Sequence, residues 1–210
     1  LIFFLICFQG FLGWYMVQSG LVNNIDVSHF RLSIHLLFAF IILSLIFWNY
    51  LSLVNLNKRN KKIKNYMPEF FLFLIFIQII IGAFVSGMDA GKIYNTWPLM
   101  GKNYFPDDNQ IINLFKLSAF SDPSLVQYFH RNLAYLIFLF YLIIIFISYK
   151  RKLYYLFKPL IILGLIILLQ IILGILTILS GASLVTASLH QFSSILLVSS
   201  SLYFLFKNSF

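Results

Sequence analysis

Three histidines, His35, His130 and His190, each stand inside an apolar stretch of this sequence. Each follows by seven residues a residue suited to opening a helix: Ser28, Pro123 and Ser183. Serine is a favoured N-cap and proline a favoured first-turn residue. At 1.5 Å of rise per residue, that spacing sets all three imidazoles roughly 10 Å below their helix starts, in one layer. Two arginines accompany them: Arg31 one turn before His35 on the same face, and Arg131 directly after His130. One interior histidine is readily a hydrogen-bonded polar group, but three at one depth point to a shared task. A zinc site would want further ligands, and no Cys, Asp or Glu shares this layer. Two imidazoles on facing helices suit the iron of a haem, with arginines placed for its propionates. Snorkelling to lipid headgroups is the competing role for each arginine.

The elements that must position these side chains are set by composition. The chain of 210 residues is 61% hydrophobic and 10% charged, where a soluble domain is about half apolar and a quarter charged. That excess places it in a membrane. Six continuous apolar runs, at 1–20, 31–54, 69–88, 126–148, 159–180 and 184–206, match a hydrocarbon core roughly 30 Å thick. Continuous rather than alternating runs predict helices and not a barrel. Cys7, the single cysteine, has no intramolecular partner and reads as apolar filler.

The net charge of +9 is a matter of topology, not of nucleic-acid binding. Lys58, Arg59, Lys61, Lys62 and Lys64 lie between the second and third runs, Lys150, Arg151, Lys152 and Lys158 between the fourth and fifth, and Lys207 after the sixth. Those ends are predicted to be cytoplasmic. The opposite side carries Asp26, Asp89, Asp107, Asp108 and Asp122, five of the six acidic residues. Trp14, Trp97 and Trp48 read as interfacial anchors. The outer segment 89–125 is too long for a plain connector. Its start, "MDAGKIYNTWPLM" (88–100), is predicted to form a lid over the histidine layer through Asp89, Tyr94, Asn95 and Trp97. His29 receives no role.

The sequence also repeats itself. Gln9-x3-Gly13 is followed by Ser19-Gly20, Gln170-x3-Gly174 by Ser180-Gly181 at the same offsets, and Gln78-x3-Gly82 by Ser86-Gly87 two residues sooner. Each such helix precedes a histidine helix, so the chain reads as three hairpins of one type, related by an axis along the membrane normal. Gly82, Gly87, Gly174 and Gly181 allow close helix contact or approach to a macrocycle. The alternation of spacing predicts a further hairpin, with a fourth histidine, ahead of residue 1. Leu1 opens inside an apolar run with no charged segment before it, which is not an intact signal peptide. The predicted fold is an all-α polytopic membrane protein, with six of eight helices present in two pseudo-symmetric four-helix bundles. Residues 1–57 form the second hairpin of the first bundle and 68–206 the whole of the second.

The segments "GWYMVQSGL" (13–21), "VSHFRLSIHLLFA" (27–39), "GAFVSGMDAGKIYNTWPLMG" (82–101), "VQYFHRNLAYL" (126–136) and "LGILTIL…LHQ" (173–191) resemble the haem A synthase family. These are assembly proteins of cytochrome oxidase in bacterial and mitochondrial inner membranes. The resemblance covers nearly the whole chain and implies an oxidoreductase that oxidises a methyl group of haem O to a formyl group, making haem A.

It further implies that His130 and His190 ligate a haem B cofactor, with Arg131 beside it, and that His35 and Arg31 serve the substrate haem. The family's other histidine and a glutamate of its chemistry belong to the absent hairpin. Glu69, on the cytoplasmic side, matches neither, so no catalytic residue is assigned and the chain alone is expected to be inactive. Implied partners are haem O substrate, haem O synthase, cytochrome oxidase assembly proteins and the lipid bilayer, with no nucleic acid; a homo-oligomer is compatible with all of these. A bacterial inner membrane is preferred to a mitochondrial one, with the histidine layer towards the outer face. The alternative is a bis-histidine haem electron carrier or respiratory membrane anchor; a transporter with pH-sensing histidines would bind no haem.

Overall fold

The structure, a computed structural model, describes residues 1–20, 27–54, 63 and 66–209. It contains six α-helices among the described residues: α1 (Ile2–Gly20), α2 (His29–Val54), α3 (Tyr66–Gly87), α4 (Pro123–Lys150), α5 (Phe157–Leu179) and α6 (Leu184–Ser209). Helices α2 to α6 are long and apolar enough to cross a bilayer, whereas the apolar part of α1, Ile2–Gln18, is shorter. The helical, polytopic fold expected from the sequence is therefore present. Asp26 and the basic residues Lys58, Arg59, Lys61, Lys62 and Lys64 lie outside the described residues.

The helix ends follow local chemistry. Asp122 caps α4, its carboxylate accepting the Leu125 N–H at 3.0 Å, and Pro123 stands where a helix needs no N–H. Ser183 accepts the Thr186 N–H on its hydroxyl at 3.4 Å and the Ala187 N–H on its carbonyl at 3.0 Å. The Ser28 carbonyl accepts the Leu32 N–H at 3.0 Å. Pro68 and Pro159 sit in the first turns of α3 and α5, positions whose N–H groups have no partner in the helix. Helix α5 ends in a tight turn, with Gly181 at φ 67° and Ala182 at φ 57°. Their N–H groups return to the carbonyls of Ile178 (3.0 Å) and Thr177 (2.8 Å). Two such residues in succession reverse the chain quickly, and glycine takes the first without steric cost.

Packing joins α3 to α4 and α6, and α5 to the same two helices; α2 lies against α3 and α6, and α1 against α2. The apolar core includes Phe71 and Ile75 of α3, Ile144 of α4, Leu160 and Leu163 of α5, and Val198 and Phe204 of α6, each essentially without exposure. Its buried members reach Ile79, Ile137, Ile167 and Leu197. A second, smaller cluster of Ile81, Phe84 and Val126 lies on the loop side of the histidine-bearing turns, so buried apolar groups stand on both sides of that level.

One glycine shows how tight the core is. A Cβ on Gly164 would collide with the hydroxyl of Tyr141, which donates to the Leu160 carbonyl at 3.0 Å. Gly164→Val is expected to destabilise the chain by about 1–3 kcal/mol through overpacking, and Tyr141→Phe by about 1 kcal/mol through the lost hydrogen bond. Gly164→Ala combined with Tyr141→Phe should cost less than the two single changes added, because the phenylalanine lacks the hydroxyl that meets the new Cβ most closely and leaves only the ring carbon Cζ, at 2.7 Å, to move aside. Thermal unfolding in detergent measures this; strictly additive losses would show that the two residues do not compete for one space.

Candidate functional site

His130 on α4 and His190 on α6 face one another. Their ring centres are 6.4 Å apart and their planes cross at 84°. The Nδ1 atom of each is buried without a hydrogen-bond partner. A metal bound to an imidazole on either side at about 2.0–2.1 Å would set the two ring centres roughly 6 Å apart, so one ion fits between them. Among the described residues no group of three His, Cys, Asp or Glu side chains gathers at one point.

Each histidine is gripped from the preceding helix. Gln78 Nε2 donates to the His130 carbonyl at 3.0 Å and lies 3.3 Å from the ring's Nε2. Gln9 does the same to His35, at 2.9 and 3.4 Å. Gln170 reaches the His190 carbonyl at 3.3 Å and the Ser193 hydroxyl at 2.9 Å. One turn further on, the glycine of each repeat faces the same ring. Arg31 is stacked over the Tyr15 ring, 5.3 Å from its centre. His29 packs edge to face on Phe84 and presses against Gly87, a close crossing of α2 and α3.

Arg131 is only 7% exposed. Its two terminal nitrogens donate to the carbonyls of Thr96 (3.0 Å), Leu99 (3.2 Å) and Tyr94 (3.0 Å), leaving Nε buried without a partner. Gln127, one turn earlier, adds a second bond to the Tyr94 carbonyl at 3.0 Å. None of the described carboxylates forms an ion pair with Arg131. The helix bearing His130 thus holds the loop 94–99 directly.

Asn95 bridges the Gly91 and Ile178 carbonyls, each at 3.1 Å, and the Trp97 indole donates to the Tyr135 hydroxyl at 3.0 Å. Asp89 pairs with Lys92 at 3.0 Å, both side chains mostly exposed, a bond of little energetic weight. The Tyr94 hydroxyl donates to Asp108 at 2.9 Å, and the Ser124 hydroxyl to the same carboxylate at 2.6 Å. Asp108 is held below the usual carboxylate value: burial pushes it up, but bonds from Ser124, Tyr94 and Asn109 outweigh that. Asp107 is lowered by the Lys102 N–H and the Asn103 amide. Burial, then the bond to Asp108, raises the Tyr94 phenol.

Sequence reading therefore singles out the histidines, both arginines and the loop residues, and His130 and His190 are brought together. It assigns no role to the glutamines, to Gln127, or to Ser124 and Asp108. The Gln127–Arg131 spacing of one turn was a readable signal.

A family model described as cytochrome oxidase assembly protein matches residues 1–202. The chain is 50% identical over 208 residues to heme A synthase of Pelagibacter ubique (strain HTCC1062), covering 99% of this chain and 61% of that protein. It is 42% identical over 211 residues to heme A synthase of Rickettsia prowazekii (strain Madrid E), covering 98% and 62%. With the heme A synthase of Wolbachia pipientis wMel it shares 41% over 202 residues, covering 94% and 56%. The chain spans about three fifths of the length of these curated relatives.

Arg131→Leu should speed amide exchange across 94–101 by at least about tenfold, since bonds to a charged donor are each worth about 1.5–3 kcal/mol. Unchanged exchange would remove the anchoring role. Both aspartates have lowered folded pKa values, so their contribution is present above the ordinary carboxylate value and lost as pH falls through the folded one. Tyr94 is raised, so its contribution is present below the ordinary phenol value and lost as pH rises through the folded one. Protease resistance of the loop should accordingly be greatest between roughly pH 5 and pH 9, and Asp108→Asn should blunt its acid limb.

Proposed function

Because the chain belongs to the cytochrome oxidase assembly protein family, we propose that it serves haem A synthesis, the oxidation of a methyl group on haem O to a formyl group. The observation that carries this reading is the facing, half-buried pair His130 and His190, 6.4 Å apart, each with a buried Nδ1 that has no partner. On this reading they hold haem B, which when bound supplies one-electron redox chemistry. The buried Nε of Arg131 offers a propionate one donor from a cation that no described carboxylate neutralises. The loop 89–125, tied to α4 by Arg131 and Gln127, limits water at that end of the bundle. Asp89, Tyr94, Asn95 and Trp97 act through this loop.

His35 and Arg31 serve the substrate haem. Among the described residues no other histidine ring pairs with His35, so its partner ligand comes from outside them. Glu69, the sole glutamate of the sequence, is in the first turn of α3, whereas Gln78 and Gly82, which touch His130, lie about two and a half and three and a half turns further along. We assign it no part in the chemistry, and the chain by itself is expected to bind haem without converting haem O. On this reading the end between α4 and α5 that carries Lys150, Arg151 and Lys152 is the cytoplasmic one, in keeping with the preference of basic residues for that side, and the loop belongs to the outer face of a bacterial inner membrane. Haem O synthase and other cytochrome oxidase assembly proteins are the partners this role requires.

The test is the reduced-minus-oxidised optical spectrum of the purified chain, with identification of extracted haem. A low-spin haem B spectrum is expected, lost in His190→Ala and His130→Ala and retained in His35→Ala. A folded chain with no haem, or an unchanged spectrum in His190→Ala, would overturn the ligand assignment.

A further inference from the structure

The Gln-x3-Gly repeat acts on one target in all three hairpins. Four residues along a helix return to the same face. In α1, α3 and α5 that face meets the histidine of the next helix. The glutamine amide donates to the backbone carbonyl of that histidine at 2.9 Å (Gln9), 3.0 Å (Gln78) and 3.3 Å (Gln170). A Cβ on the glycine would stand 3.1 Å (Gly13), 3.1 Å (Gly82) and 3.3 Å (Gly174) from Cε1 of the same ring. Gly10, outside the pattern, has nothing within 4 Å. General helix packing would not choose the same residue as target three times.

We infer that Gln9, Gln78 and Gln170, each with its glycine Gly13, Gly82 or Gly174, are positioning residues that fix the height and ring plane of the histidine they face. The carbonyl of a helical residue has a second lone pair free after closing its own turn, and the amide takes it, locking the histidine's height against the neighbouring helix. The glycine leaves a slot one atom deep in which the ring edge lies, and a methyl group there would turn or push the ring.

The device is not symmetric across the facing pair. Gln78 Nε2 also lies 3.3 Å from a ring nitrogen of His130, but an imidazole bound to iron has no lone pair left to accept from it, so the glutamine holds the carbonyl and the glycine slot holds the ring. Gln170 gives its second hydrogen to Ser193 at 2.9 Å, and Ser193 itself donates to the His190 carbonyl at 3.0 Å. The His130 carbonyl therefore depends on its glutamine alone, whereas the His190 carbonyl keeps a second side-chain donor.

This rests on the haem-ligand reading, and the experiment separates the two. In a low-spin ferric haem with two imidazole ligands, the anisotropy of the paramagnetic resonance signal reports the angle between the ring planes. The purified chain should give a strongly anisotropic low-spin signal, as planes crossing at 84° require. Gln78→Met keeps the length and removes the donor; it should make the signal less anisotropic or split it, and weaken haem retention by about tenfold, the lower range for groups that orient a metal-bound histidine. Gln170→Met should move the signal less. A wild-type signal and wild-type retention in Gln78→Met would overturn the positioning role while leaving the ligands in place. Absence of haem from the folded wild-type chain would overturn the ligand reading instead. Should Gln78→Met fail to fold, Gly82→Ala, which meets only the ring, decides: a shifted signal supports the role and an unchanged one refutes it.

Discussion

A carbonyl that already closes a helical turn can accept one more hydrogen bond, and three times in this chain it does so from a glutamine on the neighbouring helix. Water is scarce in the hydrocarbon layer, so a polar side chain there finds its partner in another helix or goes without. Glutamine is long enough to reach across and carries two hydrogens. One goes to the main chain. The other goes to whatever polar atom is nearest, a ring nitrogen beside His35 and His130 and a hydroxyl beside His190. The helix pairs α1–α2, α3–α4 and α5–α6 thus share one contact between a glutamine and the histidine of the next helix.

The loop 89–122 shows the same economy in a different solvent. Arg131 and Gln127 rise from one face of α4 and bind main-chain carbonyls, so the loop's backbone rather than its side chains is what the helix grips. At the very start of α4, Asp108 collects hydroxyl donors from Tyr94 of the loop and Ser124 of the helix. A buried guanidinium surrounded by neutral carbonyls keeps its full charge, and that leftover charge is a standing attraction for an anion.

Much of this was legible in the residues. Helices α2, α4 and α6 begin at or directly after Ser28, Pro123 and Ser183, and each histidine stands seven residues beyond that residue. Continuous apolar runs give the helices, α1 at Ile2–Gly20 included. The targets of the glutamines were not legible. A repeat at fixed offset says that one backbone arrangement recurs, but the partners lie between 20 and 52 residues away and depend on how two helices are rotated. Arg131 reads as an anion ligand from its position beside His130, whereas its terminal nitrogens go to the carbonyls of Tyr94, Thr96 and Leu99. Main-chain acceptors leave no mark on a side-chain pattern, which is why this engagement escaped the sequence.

Asn95 joins the loop after α3 to the last turn of α5, 83 residues later in the chain. No arrangement of α3 and α4 alone can make that bond. During synthesis the third hairpin is the last to enter the bilayer, and its tight turn at Gly181–Ala182 brings the Ile178 carbonyl into place only when α5 has arrived. Until then this part of the loop lacks one of its anchors. The Asn95 bond is thus a mark of a docked third hairpin and not only of a folded loop.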